Sequence, residues 1–194
     1  MIAATDLATD AATLLAHWWS RPTAQERRGW EQTWLPAAQA AEDLGCSAAL
    51  VEQLCAAHLK ADEQTLLDEY ERLFVGPGRA PCPPYESIWS SEVGRREEGM
   101  LMGAAAEAVS DVYRDLGLAM RADAGELPDH LLVEWEALGY ALEHDAPEAA
   151  SELLHRHLGR WMRPFCTAAA ARTGQPFYRA LAELTMEWTD ALTA

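Results

Sequence analysis

Apolar residues recur three and four positions apart along almost the whole chain, and no stretch alternates apolar and polar residues as a half-buried strand would. The pattern predicts a first helix over "DLATDAATLLAHWW", stopping near Arg21-Pro22 because proline disfavours helix in the residue before it. Shorter helices follow, holding Trp30 and Trp34, then "AAQAAEDLG" closed by Gly45. Ser47 is placed to cap the next helix, with Leu50, Leu54 and Ala57 on one face. "DEQTLLDEYERLF" carries the stripe Leu66, Leu67, Tyr70, Leu73 and Phe74 and runs into the loop "VGPGRAPCPPYESIW".

Beyond that loop the spacing predicts a long alanine-rich helix over "GMLMGAAAEAVSDVYRDLG", a second loop "LAMRADAGELP", and a helix with Leu131, Trp135, Leu138 and Leu142 on one side. Asp129 stands where a cap for this helix belongs. Pro147 suits the first turn of the next helix, which turns Leu154, Leu158, Trp161, Met162 and Phe165 inward and is open to a kink at Pro164. Gly174 and Pro176 separate it from a last helix burying Phe177, Leu181, Leu184 and Trp188. The expected fold is all-α, a single-domain irregular helical bundle over residues 1–194.

Composition narrows the function classes. The 194 residues are enough for a core without metal or disulfide staples, and 49% apolar with 24% charged residues is globular composition. A formal net charge of −16 argues against a nucleic-acid partner, which needs clustered lysine and arginine, and suits attraction of a cationic peptide. No apolar run approaches the roughly 18 residues that span a bilayer. Asp6 and Asp10 stand where a secretory signal would be basic, so the expected location is the cytoplasm. Cys46, Cys55, Cys82 and Cys166 lack C-x-x-C spacing, which suits free thiols in a reducing compartment.

The candidate chemistry is thin for an enzyme. His155 and His157 in "HRH" lie two apart on a helix and point to different sides, so they do not share a metal ion readily. "VGPGRAP" lacks the spaced glycine and Lys-Ser/Thr of a phosphate loop. Glu134 and Glu136 diverge for the same reason as the histidines, and Glu97 and Glu98 are adjacent on a charged turn. What stands out is "PCPPYESIW", residues 81–89, an aromatic loop stiffened by prolines. It is either a plug that folds Tyr85 and Trp89 back onto the core or a surface that holds something. In "LPDHLLVEWEAL", Pro128 sets up the chain, Asp129 caps, and His130 is expected to be exposed in the first turn.

These segments, in this order, resemble the TorD/DmsD family of redox-enzyme maturation chaperones. The resemblance runs through "EYERLFVGPGRAPCPPYESIW", "PDHLLVEWEALGYAL" and "LLHRHLGRWMRPFCTAAAARTGQPFYRALAELTMEW", roughly residues 62–190. One departure is Tyr85-Glu86-Ser87, where some members have Trp-Gly-Ser. The resemblance implies an all-helical cytoplasmic chaperone without catalytic activity or a cofactor of its own. It would bind the twin-arginine signal peptide and apo-form of a molybdopterin oxidoreductase until the cofactor is inserted. It implies peptide-binding roles for Tyr85, Glu86, Ser87, Trp89, Pro128, Asp129 and His130, with Tyr70 and Phe74 as neighbours. Asp129, Glu134 and Glu86 are candidate partners for the arginines. Tyr85 and Trp89 are then expected partly in solvent, lining a groove beside the "DHLLVEWEAL" helix. The alternatives are a nitrate-reductase-type assembly factor for a non-exported subunit and a nucleotide-hydrolysing maturation factor. Monomer and homodimer both remain open.

Overall fold

The computed structural model describes residues 2–90, 103–120 and 125–194. Helix α1 (Ile2–Trp18) ends at the buried Trp18, and Trp19, also buried, begins the turn after it. Thr23 caps α2 (Ala24–Trp30) by accepting a hydrogen bond from the Glu26 N–H. Next come α3 (Trp34–Asp43), α4 (Ala48–Lys60) and α5 (Glu63–Tyr70). Asp62 caps α5 through the Thr65 N–H. Ser47 stands at the N-cap of α4 but its hydroxyl makes no capping bond; its N–H donates instead to Glu187. The expected Ser47 cap is therefore a backbone anchor to the last helix.

The stretch expected as one helix to Phe74 changes winding partway, into a π-helical turn π1 (Glu71–Val75) that buries Leu73 and Phe74. Gly76 ends it with φ 65°, a conformation open to glycine at little cost, and the chain leaves for the proline loop. After the short α6 (Glu86–Trp89) come α7 (Ala104–Asp115), α8 (Leu131–Glu143) and α9 (Pro147–Glu152). The expected start of α7 at positions 99–102 and the pair Glu97 and Glu98 lie outside the described residues. A second π-helical turn, π2 (Leu153–Leu158), joins α9 to α10 (Gly159–Arg172), and α11 (Pro176–Thr193) closes the bundle. A Cβ at Gly159 would stand 2.6 Å from the Leu154 carbonyl, so π2 requires glycine where it hands over to α10.

Helix α1 packs along α8, α11 lies between α10 and α4, and α3 pairs with α4. The core between them is unusually aromatic. Trp18, Trp19, Trp30, Trp135, Trp161 and Trp188 are all buried. At roughly 150–250 Å² per ring and about 25 cal/mol per Å², each contributes about 4–6 kcal/mol before ordering costs. Buried indole N–H groups want acceptors, and two are supplied by threonines: Trp18 donates to Thr33 at 2.9 Å and Trp19 to Thr185 at 3.0 Å. Leu67 and Leu142, expected inward, are only half-buried. The four cysteines are free thiols, with Cys82 and Cys166 buried. Among the described residues no helix is long and apolar enough to cross a membrane.

Candidate peptide-binding site

The proline loop and the start of α8 are joined by backbone. Tyr85 and His130 form an isolated antiparallel bridge. The Glu86 N–H donates to the Asp129 carbonyl and the Leu131 N–H to the Pro84 carbonyl, both at 2.9 Å. The loop's other end is tied to π1, where the Cys82 N–H donates to Leu73 at 2.8 Å. Two segments more than forty positions apart thus meet along one short seam, and eight of the ten candidate residues lie on or under it.

The caps differ from the sequence expectation. His130, not Asp129, is the N-cap of α8, and its Nδ1 accepts from the Leu132 N–H at 3.2 Å. That bond leaves the ring's proton on Nε2, which faces Glu126 at 3.4 Å. Asp129 turns the other way and accepts from the Ser87 N–H at 3.0 Å. His130, expected exposed, is 2% exposed, because the Tyr85 ring stands edge-on to it at 5.0 Å. Burial holds its imidazole below the ordinary histidine value, against the opposing pull of Glu126 and Asp129.

Tyr85 and Trp89 are half-buried. The Tyr85 hydroxyl donates to Glu126 at 3.1 Å, and burial followed by the Glu126 charge pushes its pKa up. Trp89 donates to the Pro83 carbonyl at 2.6 Å and rests edge-on against Phe165. The plug and the surface reading each describe part of these two side chains: one face of Trp89 belongs to the core, the remainder to the outside. Pro128 is half-buried at the seam, and its carbonyl accepts from the Tyr113 hydroxyl at 2.9 Å.

Tyr70 and Phe74 are a correction. They are 7% and 5% exposed and belong to the aromatic core, where Phe74 contacts Trp19, Phe165 and Tyr178. Their surface is taken up by the core, and they present no free face to a ligand.

Beneath the seam lies an acidic nest. Glu86, Asp129 and Glu134 are 3%, 0% and 0% exposed. His157, delivered by π2, holds Glu86 at 2.6 Å. The Trp161 indole donates to Glu134 at 2.9 Å. Burial, then the Glu86 charge, raises the Glu134 carboxyl well above the usual carboxylate range, the Trp161 N–H acting the opposite way. Among the described residues no group of His, Cys, Asp and Glu could hold a metal ion, and His155 points outward while His157 is buried.

Sequence reasoning missed Glu126, His157, Trp161 and Tyr113. Glu126 carried one signal, its place four residues before His130. The inward turn of His157 was legible from its nearness to the apolar stripe, but its partner Glu86, 71 positions away, was not.

The family model described as nitrate reductase delta subunit matches residues 38–167, which hold the loop, the seam and the nest. The Tat proofreading chaperone DmsD of Salmonella typhimurium is 32% identical over 127 residues, covering 63% of this chain and 57% of that one. The chaperone protein TorD of Shewanella piezotolerans is 25% identical over 128 residues, covering 65% and 60%. The aligned stretch is thus less than two thirds of either relative. A crystal structure described as that of a redox enzyme maturation protein from Archaeoglobus fulgidus shares the fold, with TM-score 0.65 at 22% identity over 94% of this chain and 93% of the other. The chain is similar to the DmsD and TorD chaperones and belongs to the nitrate reductase delta subunit family.

Proposed function

We propose that this chain is a cytoplasmic chaperone, not an enzyme, that binds the twin-arginine leader of a molybdenum-cofactor oxidoreductase precursor. It holds the apo-form until the cofactor is inserted and so prevents premature export. The observation that carries the reading is the seam. Half-buried aromatics from a proline-stiffened loop stand directly over a buried acidic nest, at the meeting of two distant segments. A leader offers a cationic end followed by an apolar segment, and such a surface has a complement for each. Proline stiffening lowers the ordering cost of binding. The names of the DmsD and TorD relatives, and a formal charge of −16, agree with this.

Titrating a synthetic twin-arginine leader by calorimetry tests it. Saturable binding that Trp89→Ala weakens mainly through faster dissociation, at low and high salt alike, is the expected result. A leader that binds no better than a scrambled peptide would refute it. A second reading has the family description in its favour: an assembly factor for a nitrate-reductase-type subunit that is not exported. The peptide that co-purifies from anaerobic cells separates the two. A nucleotide-hydrolysing role has no comparable observation behind it, and a phosphate-release assay checks it.

A further inference from the structure

Among the described residues three large apolar side chains stand exposed, and two of them share one face. Leu35, on the first turn of α3, is 82% exposed, and Leu59, on the last turn of α4, is 68% exposed. Residues 44–47 turn the chain from α3 into α4, and the Trp34 and His58 rings meet at 5.4 Å, so the two helices run antiparallel with these ends together. Trp34 and His58 pack inward. The next residue on each helix is rotated by about 100°, and in an antiparallel pair both rotations lead to the same side. Leu35 and Leu59 are thereby carried out of the core side by side.

The rest of that face is small. Ala38 on α3, and Cys55 and Ala56 on α4, lie one turn from the leucines and are half-buried or exposed. Large side chains beside small ones make a surface that a copy of itself can fill, knob into hole. At one end of the face stand Lys60, the only lysine of the chain, and Arg28, neither ion-paired among the described residues. Of the carboxylates at that end, Glu31 faces His58 at 3.8 Å and Asp62 caps α5, which leaves Glu63. At the other end are Glu42 and Glu52, exposed and without an ion pair among the described residues.

We propose that a second copy of this chain docks on the outer face of the α3–α4 hairpin about a two-fold axis near Ala56. The leucines of each copy then cover the small residues of the other, and Lys60 of each stands opposite Glu52 of its partner. Both residues lie on or at the end of α4, about 6 Å to either side of Ala56 along the helix, so two antiparallel α4 helices bring them together. Charge selects the occupant. A chain at −16 repels its own copies over most of its surface, but a face cationic at one end and anionic at the other complements itself when turned end for end. A wholly acidic partner would meet Glu42 and Glu52, and a wholly basic one would meet Arg28 and Lys60. The face is two helices wide, at the small end of specific interfaces, so the dimer is weak and concentration-dependent. No seam residue lies on it, and leader binding is independent of it.

Sedimentation velocity over a rising concentration series tests this. The native chain should pass from monomer to dimer. Leu35→Glu or Leu59→Glu should weaken association by about tenfold or more, and Val75→Glu, at the third exposed apolar side chain, should leave it unchanged. Both leucines are exposed, so melting temperature and leader titration should match the native chain. Charge exchange reads the two-fold pairing. Lys60→Glu and Glu52→Lys should each weaken the dimer, and the two together should restore it. Glu52→Lys also lowers the net negative charge, so a stronger dimer in that variant overturns the pairing. A native chain that stays monomeric throughout overturns the proposal, as does a dimer indifferent to both leucine variants. If Leu59→Glu weakens leader binding and not self-association, the face holds the leader and the dimer is overturned.

Discussion

Glu69, on α5, is buried yet accepts four hydrogen bonds: two from the Arg72 fork at 2.7 and 2.9 Å, one from the Thr173 hydroxyl at 2.8 Å and one from the Gly174 N–H at 2.6 Å. Glu134, on α8, is fully buried and accepts one, from Trp161. Burial pushes both carboxyls up. At Glu69 the donors more than offset it and the group is held below its ordinary value; at Glu134 the nearest charge is another carboxylate and the group is held above. The same residue type in the same bundle is thus ionised and stitched in at one place, neutral and under-satisfied at the other. Glu69 fastens the end of α5 to the turn between α10 and α11, as a structural carboxylate does. Glu134 stabilises nothing comparable, which is why its burial points to a ligand.

The harshest way to break this contrast is to strip the nest of the one strong bond it has. His157→Leu leaves Glu86 buried without its partner, and removing one member of a buried pair costs about 3–5 kcal/mol. Urea denaturation reads this directly, and a loss under about 1 kcal/mol would show that Glu86 reaches water. Next comes Glu69→Gln, which keeps the shape but points an amide N–H₂ at donors. About 2 kcal/mol is expected, or roughly 4–8 °C in melting temperature for a chain of this size, with leader binding unchanged. The acid dependence follows from the lowered pKa. Glu69 contributes stability above the unfolded carboxylate range, lost as pH falls through its folded value, so the variant should lose less than the native protein on acidification.

The two carboxylates were not equally legible in the sequence. Helix existence was, because Leu, Trp and Phe at 3.6-residue spacing leave one face to bury, and Phe177, Leu181, Leu184 and Trp188 are all buried as that spacing requires. The π-helical turns were not: one extra residue per turn leaves the apolar pattern before and after almost unchanged, yet π2 is what brings His157 to Glu86. The cap at α8 was misassigned because Asp129 and His130 can both accept from an N–H, and the choice was made by Ser87, 42 positions earlier. Local propensity placed the segments; the convergence of Glu86, Asp129 and Glu134 is set by packing between them.

Glu134→Gln sharpens the contrast because it removes a charge that the folded state already refuses. Stability at neutral pH should be unchanged or raised by about 1 kcal/mol. With its folded pKa raised, native Glu134 lets stability fall as pH climbs from the unfolded carboxylate range, near about 4.3, toward the folded value. Melting curves across that window should slope down for the native protein and flatten in the variant, opposite in sign to Glu69.

The smallest effect is expected at the rim, from Glu126→Gln. Glu126 is exposed, and it accepts from Tyr85 at 3.1 Å with His130 Nε2 at 3.4 Å. The amide oxygen still serves Tyr85, so stability should move by no more than about 0.5 kcal/mol. The lost charge acts on approach: leader association should slow at low salt and recover at physiological salt, where exposed charges are screened beyond about 8 Å. Stopped-flow rates at two salt concentrations separate the rim from the nest. A rim charge alters the association rate and leaves dissociation alone, whereas losing Glu134 should speed dissociation at any salt. If Glu126→Gln instead speeds dissociation as much as Glu134→Gln does, the leader is held at the rim beside Tyr85 rather than over the nest.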